Sequence, residues 1–217
     1  MRIAVLGTGS VGTTVGSKLV SLGHDVVMGS RTPDNPKALD WVASAGPVAS
    51  TAAYAEAAAD AELIINATAG LGSLEALRAA GAANLDGKVL LDISNPLDFS
   101  RGMPPTLSPC NTDSVGEQIQ REFPGARVVK SLNTVTAAVM VDPTLLKGPH
   151  TVFMSGDDAD AKADVRALLA SFGWPRDDVI DLGGIWTARG VEMWLPLWVN
   201  LMSAFGTPIF NIAVIRG

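Results

Sequence analysis

The sequence predicts an α/β fold: a doubly wound, mainly parallel sheet with a small C-terminal helical extension. Three observations predict it. Short apolar runs alternate with helical spacings along most of the chain, a pattern that places helices on both faces of a parallel sheet. The first apolar run, Ile3-Ala4-Val5-Leu6, leads straight into Gly7-Thr8-Gly9-Ser10-Val11-Gly12 and then into a helical period. A glycine fingerprint between a strand and a helix makes the sheet Rossmann-type and its ligand a dinucleotide. The chain is 47% hydrophobic and 18% charged over 217 residues, which supports a buried core rather than disorder.

The elements follow in order. Arg2 to Leu6 is a strand. Gly7 allows the tight turn, Gly9 lets a pyrophosphate approach bare backbone, and Gly12 lets the helix pack closely. Val11, Val15, Leu19 and Val20 share one helical face, and Gly23 suits the end of that helix. Its free N–H groups and its dipole face the phosphates. Asp25 to Met28 is the second strand, followed by Gly29-Ser30-Arg31. An acid normally ends this strand, about 20 residues past the glycines, and holds the ribose 2′-hydroxyl. A hydroxyl and a guanidinium stand there instead. They suit a 2′-phosphate, so NADPH is expected over NADH.

Val48 to Ser50 reads as a weak third strand, Thr51 to Asp60 as an Ala-rich helix, and Glu62 to Asn66 as the fourth strand. Leu71 to Ala80 is helical, and Lys88 to Ile93 is the fifth strand. A long polar loop with Pro96, Pro104, Pro105 and Pro109 follows. Asp113 or Ser114 caps a helix running to about Phe123. Arg127 to Ser131 is the sixth strand, and Thr134 to Val141 a short helix stopped by Pro143. Thr151 to Ser155 is a strand, Asp158 to Phe172 a helix with acids in its first turn, and Val179 to Leu182 a last short strand. Ile185 to Phe205 reads as one long apolar helix, kinked at Pro196. A soft boundary near His150 divides residues 1–150, a nucleotide-binding domain, from residues 151–217, a strand and helix extension.

Composition narrows the partners. The net charge of −6, with no basic run, argues against nucleic acid and anionic membranes. The single cysteine, Cys110, cannot form an internal disulfide, which fits a reducing cytoplasm. The N-terminus enters the fold at once and does not read as a signal peptide. Met193 to Phe210 carries no charge and is long enough to raise the question of a membrane span. Pro196, Asn200, Gly206 and Pro208 interrupt it, so a buried or interfacial helix with a broken end is expected.

Ligands of open α/β sheets sit outside the carboxyl ends of the strands. The residues there are Thr8, Gly9, Ser10 and Val11, then Ser30, Arg31 and Thr32, then Asn66, Ala67 and Thr68. Ser94, Asn95 and Pro96 follow the fifth strand; Leu132, Asn133 and Thr134 follow the sixth. They offer hydrogen bonds to amides, riboses and phosphates, but no obvious nucleophile or proton donor. His24 and His150 lie away from strand ends, Tyr54 reads as packing, and Lys130 stands just before the site end of its strand. No catalytic acid or base is therefore assigned. Such a site suits hydride transfer by positioning, with Asn95, Pro96, Asn133 and Thr134 as lining. Asp157, Asp158, Asp160 and Asp164 read as a helix cap and a solvated face. No Cys/His spacing supports a metal. Arg189 and Glu192, one turn apart, are expected to pair. Trp186, Trp194 and Trp198 recur near helical spacing, as core, as a subunit interface, or as an apolar wall for a flat ring.

These landmarks resemble the NADPH-dependent deazaflavin (coenzyme F420) reductase family over nearly the whole chain. They are the Gly7–Gly12 loop, Leu22-Gly23-His24, Gly29-Ser30-Arg31, Asn66-Ala67-Thr68, Asp92-Ile93-Ser94-Asn95-Pro96 and Lys130-Ser131-Leu132-Asn133-Thr134. The resemblance implies that Thr8, Ser30 and Arg31 hold the 2′-phosphate. It implies that Asn66-Ala67, Asn95-Pro96 and Asn133-Thr134 line the nicotinamide and a second ring. The C-terminal helices would cover the site and pair two subunits. The family usually has an extra glycine ahead of the loop, and a small residue and a His where Leu132-Asn133-Thr134 stands. Its looser relatives include cytosolic domains of membrane ferric reductases that pass hydride to a flavin. The expected function is an NADPH-dependent oxidoreductase passing hydride to coenzyme F420 or to FMN or FAD. A non-catalytic NADPH sensor and a reductase of a small carbonyl or imine are the other readings.

Overall fold

The strands at the centre of the sheet are mostly apolar and buried because both faces are covered. In the computed structural model, which describes residues 1–217, β1 (Arg2–Leu6) divides its side chains between two cores. Ile3 and Val5 join Val15 and Leu19 of α1 (Ser10–Ser21) on one face. Ala4 and Leu6 join Ala57 and Leu77 on the other, as the alternation of strand side chains dictates.

The first half builds outward from β1. It comprises β2 (Asp25–Ser30), α2 (Pro36–Ala45), β3 (Ala49–Ala53) and α3 (Tyr54–Ala59). The chain then crosses to the other side of β1 through β4 (Leu63–Asn66), α4 (Gly70–Ala80), α5 (Ala82–Leu85) and β5 (Val89–Asp92). A small hairpin, β6 (Leu97–Asp98) and β7 (Thr106–Leu107), precedes α6 (Val115–Glu122), β8 (Arg127–Ser131) and α7 (Ala137–Val141). Last come β9 (Val152–Gly156), α8 (Ala159–Phe172), β10 (Val179–Asp181), α9 (Ala188–Met193) and α10 (Leu195–Phe205). The strand order is β10-β9-β8-β5-β4-β1-β2-β3. The direction of winding reverses between β1 and β4, the crevice where such sheets bind ligands.

Within this eight-stranded sheet every pairing is parallel except β8 with β9. The reversed pair β9 and β10 continues the sheet beyond position 150. The C-terminal tail lies beside it, with the Thr151 N–H donating to the Ile212 carbonyl at 2.8 Å.

Several elements differ from expectation. Thr51 to Ala53 are strand, because Thr51 and Ala53 stand in register with Met28 and Ser30; sheet pairing overrides the helical preference of alanine there. The helix α2 was not anticipated, although Asn35 caps it by accepting from the Lys37 and Ala38 N–H groups and Pro36 opens it. The polar loop holds the β6–β7 pair, and α7 begins at Ala137 rather than Thr134.

The long C-terminal helix is in three pieces: a 3-10 turn at Ile185–Thr187, then α9, then α10. Pro196 has no N–H to continue the ladder and is tolerated only in a first turn, so a new helix starts around it. Gly206, at φ 66, ends α10. No helix is long and apolar enough to cross a membrane.

Candidate active site

The glycines of the β1–α1 turn answer to different forces. Gly7 has φ +120, and a Cβ there would stand 2.6 Å from the Ala67 carbonyl oxygen. A Cβ at Gly12 would overlap the Gly7 carbonyl. Gly9 has φ −78 and ψ 180, open to any residue, and its Cβ would meet nothing within 4 Å. Neither backbone nor packing asks for glycine at that position. It faces open space at the start of α1, a helix with no side-chain cap. The N–H groups of that first turn have no intrahelical partner. Bare backbone and unpaired donors at a helix N-terminus fit a pyrophosphate.

At the end of β2, Ser30 is 3% exposed, and its hydroxyl donates to the Thr32 carbonyl. Arg31 is exposed and takes part in no ion pair, so its guanidinium is available to an anion. A cavity of about 900 Å³ starts at Thr8, Gly9 and Ser10 but runs down α1 toward Lys37 and Ser44. It is a hydroxyl-rich groove between α1 and α2 that leaves the strand ends. The winding reversal, not this groove, marks where a dinucleotide crosses the sheet.

Beneath the strand ends runs a buried polar chain. Asn66 accepts from the Thr68 hydroxyl at 2.6 Å and donates to Asp92 at 2.9 Å. Lys130 donates to Asp92 Oδ2 at 2.8 Å and to the Ser94 carbonyl at 2.5 Å. Glu192 Oε1 lies 2.8 Å from Lys130 Nζ. Burial works against the Lys130 ammonium, but Asp92 and Glu192 outweigh it and hold its pKa above the ordinary lysine value. All three donors are used and the side chain is fully buried. Its N–H groups are thus taken up by Asp92, Ser94 and Glu192 within the protein.

The expected Arg189–Glu192 pair does not form. Arg189 bonds Glu117 at 2.8 and 2.6 Å, an ion pair that holds the Glu117 carboxyl below its usual range against the opposing effect of burial. Glu192 turns inward, where its carboxylate accepts from the Val115 and Gly116 N–H groups at 2.9 and 3.2 Å. An anion at the start of α6 is favoured by the same unpaired donors and dipole. Sequence spacing missed this residue, because its partners lie as many as 77 positions away.

The ends of β5 and β8 are clasped together. Asn95 Nδ2 donates to the Asn133 carbonyl at 2.9 Å, and Asn133 Nδ2 donates to Asn95 Oδ1 at 3.0 Å. Asn133 also donates to the Val191 carbonyl of α9 at 3.1 Å. Leu132, fully buried, holds φ 63. A branched side chain rarely adopts this conformation, and here it turns the chain out of β8 so that Asn133 and Thr134 stand at the strand end.

The Ser94 and Thr134 hydroxyls are buried without a hydrogen-bond partner. Buried polar groups are nearly always satisfied. Two orphaned hydroxyls at neighbouring strand ends fit the polar edge of a bound ring. Thr134 also borders an apolar cavity of about 260 Å³, walled further by Phe153, Val191, Trp194 and Ile212. Trp194 also donates to the Thr134 carbonyl at 3.3 Å. The other two tryptophans are elsewhere: Trp186 is 64% exposed, and Trp198 stacks on Phe210. His150 is committed to the Pro143 carbonyl and to Asn211.

Comparison with known proteins bears on the family. Residues 2–96 match the model of a family described as NADP oxidoreductase, coenzyme F420-dependent. A solved structure from Arthrobacter sp. FB24, provisionally named an F420-dependent NADP reductase, is 56% identical with a TM-score of 0.95, covering 100% of both chains. The rat metalloreductase STEAP3 is 29% identical over 202 residues, 91% of this chain and 38% of the rat protein. The chain thus spans well under half the length of that relative. An imine reductase from Aspergillus terreus, solved with NADPH4 and dibenz[c,e]azepine, is 20% identical with a TM-score of 0.64. It covers 94% of this chain and 62% of its own, a likeness of fold alone. With a glycine turn open to phosphate, an unpaired arginine in place of an acid, and full-length likeness to the Arthrobacter protein, the chain belongs to the coenzyme F420-dependent NADP oxidoreductase family and is an NADP-dependent oxidoreductase.

Proposed function

We propose that the enzyme passes hydride between NADPH and a deazaflavin, coenzyme F420, or a flavin such as FMN or FAD. The observation that carries this reading is the locking of Lys130 between Asp92 and Glu192. The groups left to face the ligands are amides and hydroxyls, which orient rings but do not shuttle protons. NADPH supplies the hydride, and the acceptor ring takes its balancing proton from solvent.

In this reading the N–H groups of Ser10, Val11 and Gly12 hold the pyrophosphate. Thr8, Ser30 and Arg31 hold the 2′-phosphate. Ala67 lines the cofactor while Asn66 supports it from below. Asn95, Pro96, Asn133 and Thr134 line the nicotinamide, with the Ser94 and Thr134 hydroxyls bonding its carboxamide. Residues 151–217 act as a cover, with Val191 and Trp194 as the wall for the second ring. Leu197, Phe205, Ile209 and Ile215, all exposed, pair with a second copy of the chain to make a homodimer. The free, exposed Cys110 suits a reducing cytoplasm.

The test mixes enzyme and NADPH with coenzyme F420, FMN or FAD in turn and follows nicotinamide absorbance. Rapid oxidation with one of these ring acceptors is expected. Turnover only with a small carbonyl or imine, or binding without turnover on any acceptor, would overturn the proposal.

A further inference from the structure

A cavity of about 280 Å³ opens beside Arg31, between α3 and α4. It follows one face of α4, lined by Gly72, Glu75, Ala76 and Ala79 at the three- and four-residue spacing of a helical stripe, with Thr68 and Ala69 just ahead of the helix. Tyr54 of α3 forms the facing wall. A Cβ at Gly72 would meet nothing within 4 Å, the same signature of unused space seen at Gly9. The result is a slot with small residues on one side and an aromatic ring on the other, shaped for a flat bicyclic base.

Position also points there. Arg31 is placed for the 2′-phosphate, and that phosphate shares its ribose with the adenine. A base hung from that sugar must enter a cavity adjoining Arg31. Within this slot Glu75 is the only acid. It forms no ion pair, because Arg78, one turn along, is held by Glu122 at 2.7 Å. Tyr54 senses both charges. Burial raises its phenol, Arg31 lowers it and Glu75 raises it, so the three groups surround one space.

We infer that Glu75 reads the adenine of the dinucleotide by accepting a hydrogen bond from its exocyclic amine. A carboxylate is an acceptor only. The exocyclic amine is the one donor on the adenine edge, and the ring nitrogens are acceptors that would repel it. The inference rests on the NADPH reading above and adds a residue that selects the base.

The experiment compares binding of NADPH with that of its amine-free analogue, reduced nicotinamide purine dinucleotide phosphate, by fluorescence titration. The analogue carries a hydrogen where adenine carries the amine, so its base edge presents acceptors only. The wild-type enzyme should prefer NADPH by about tenfold or more, as expected for a hydrogen bond to a charged group. Glu75→Gln, which can donate or accept, should bring the ratio close to one without changing thermal stability. Arg31→Ala should weaken both ligands by the same factor. A wild-type enzyme that binds both equally, or a preference that survives in Glu75→Gln, would overturn the role of Glu75 and leave the cofactor reading standing. Failure to bind either dinucleotide would overturn both.

Discussion

Gly9 and Gly12 lie three residues apart and respond to different constraints. A methyl at Gly9 enters open space, whereas one at Gly12 strikes the Gly7 carbonyl. Gly9→Ala should therefore keep its stability to within ~0.5 kcal/mol yet bind NADPH about tenfold more weakly, a loss of ~1.4 kcal/mol. Gly12→Ala should lose about 1–3 kcal/mol of stability by overpacking. Urea titration and ligand titration on the same two variants separate these effects. Arg31→Ala should weaken NADPH by ten- to a hundredfold, roughly the value of a charge-assisted hydrogen bond, and leave NADH nearly unaffected; equal weakening of the two would remove the guanidinium from the 2′-phosphate. The positions of Gly9, Arg31, Asn95 and Asn133 were all legible in the sequence, because strand ends can be counted from apolar runs. Ser94 and Glu192 were not legible in their roles. An orphaned hydroxyl is visible only once its surroundings are packed, and the inward turn of Glu192 depends on a helix end far away in the chain.

Elements are joined by charges as well as by apolar packing. Lys130 links β5, β8 and α9 through Asp92 and Glu192. Lys130→Met would leave two facing carboxylates buried, and a broken buried pair costs about 3–5 kcal/mol; equilibrium urea unfolding measures it. Asp158 caps α8 by accepting from the Ala161 N–H and pairs with Arg127. Arg127, then that backbone bond, bring its pKa from 3.8 to about 2. A carboxyl depressed in the folded state stabilises the fold above its unfolded pKa and loses that effect as pH falls through the folded value. Asp158→Ala should thus be less stable than wild type near neutral pH, and the gap should close between about pH 4 and pH 2. A gap that persists at the acid end would assign the effect to packing instead. At this scale α8 was readable from sequence behind its Asp158 cap, whereas α2 was not, although Asn35 caps it. The boundary between β3 and α3 was not, since Ala52 and Ala53 carry no strand preference of their own and take their conformation from β2 alongside.

For the whole molecule, the winding reversal between β1 and β4 brings the glycine turn, Arg31 and the clasped asparagines to one rim of the sheet. The parallel body of that sheet could be anticipated from alternating strand and helix patterns. The reversed direction of β9 and β10 could not, because an apolar run carries no record of which way its strand points. The exposed apolar side chains near the C-terminus bear on assembly. Leu197→Asp or Phe205→Asp should convert a dimer to monomers in sedimentation equilibrium while leaving NADPH affinity unchanged; a wild-type chain that sediments as a monomer would end the dimer proposal.

The bond from Glu192 into the lysine below also limits how ligands come and go. To lift α9 away would break the Glu192 bonds to the Lys130 ammonium and to two backbone N–H groups, all of them buried, at a cost of several kcal/mol. This helix therefore behaves as a fixed roof beam, not a swinging door. On the function proposed above, reactants would pass along the open eaves, between the arginine of the second strand and the asparagine pair.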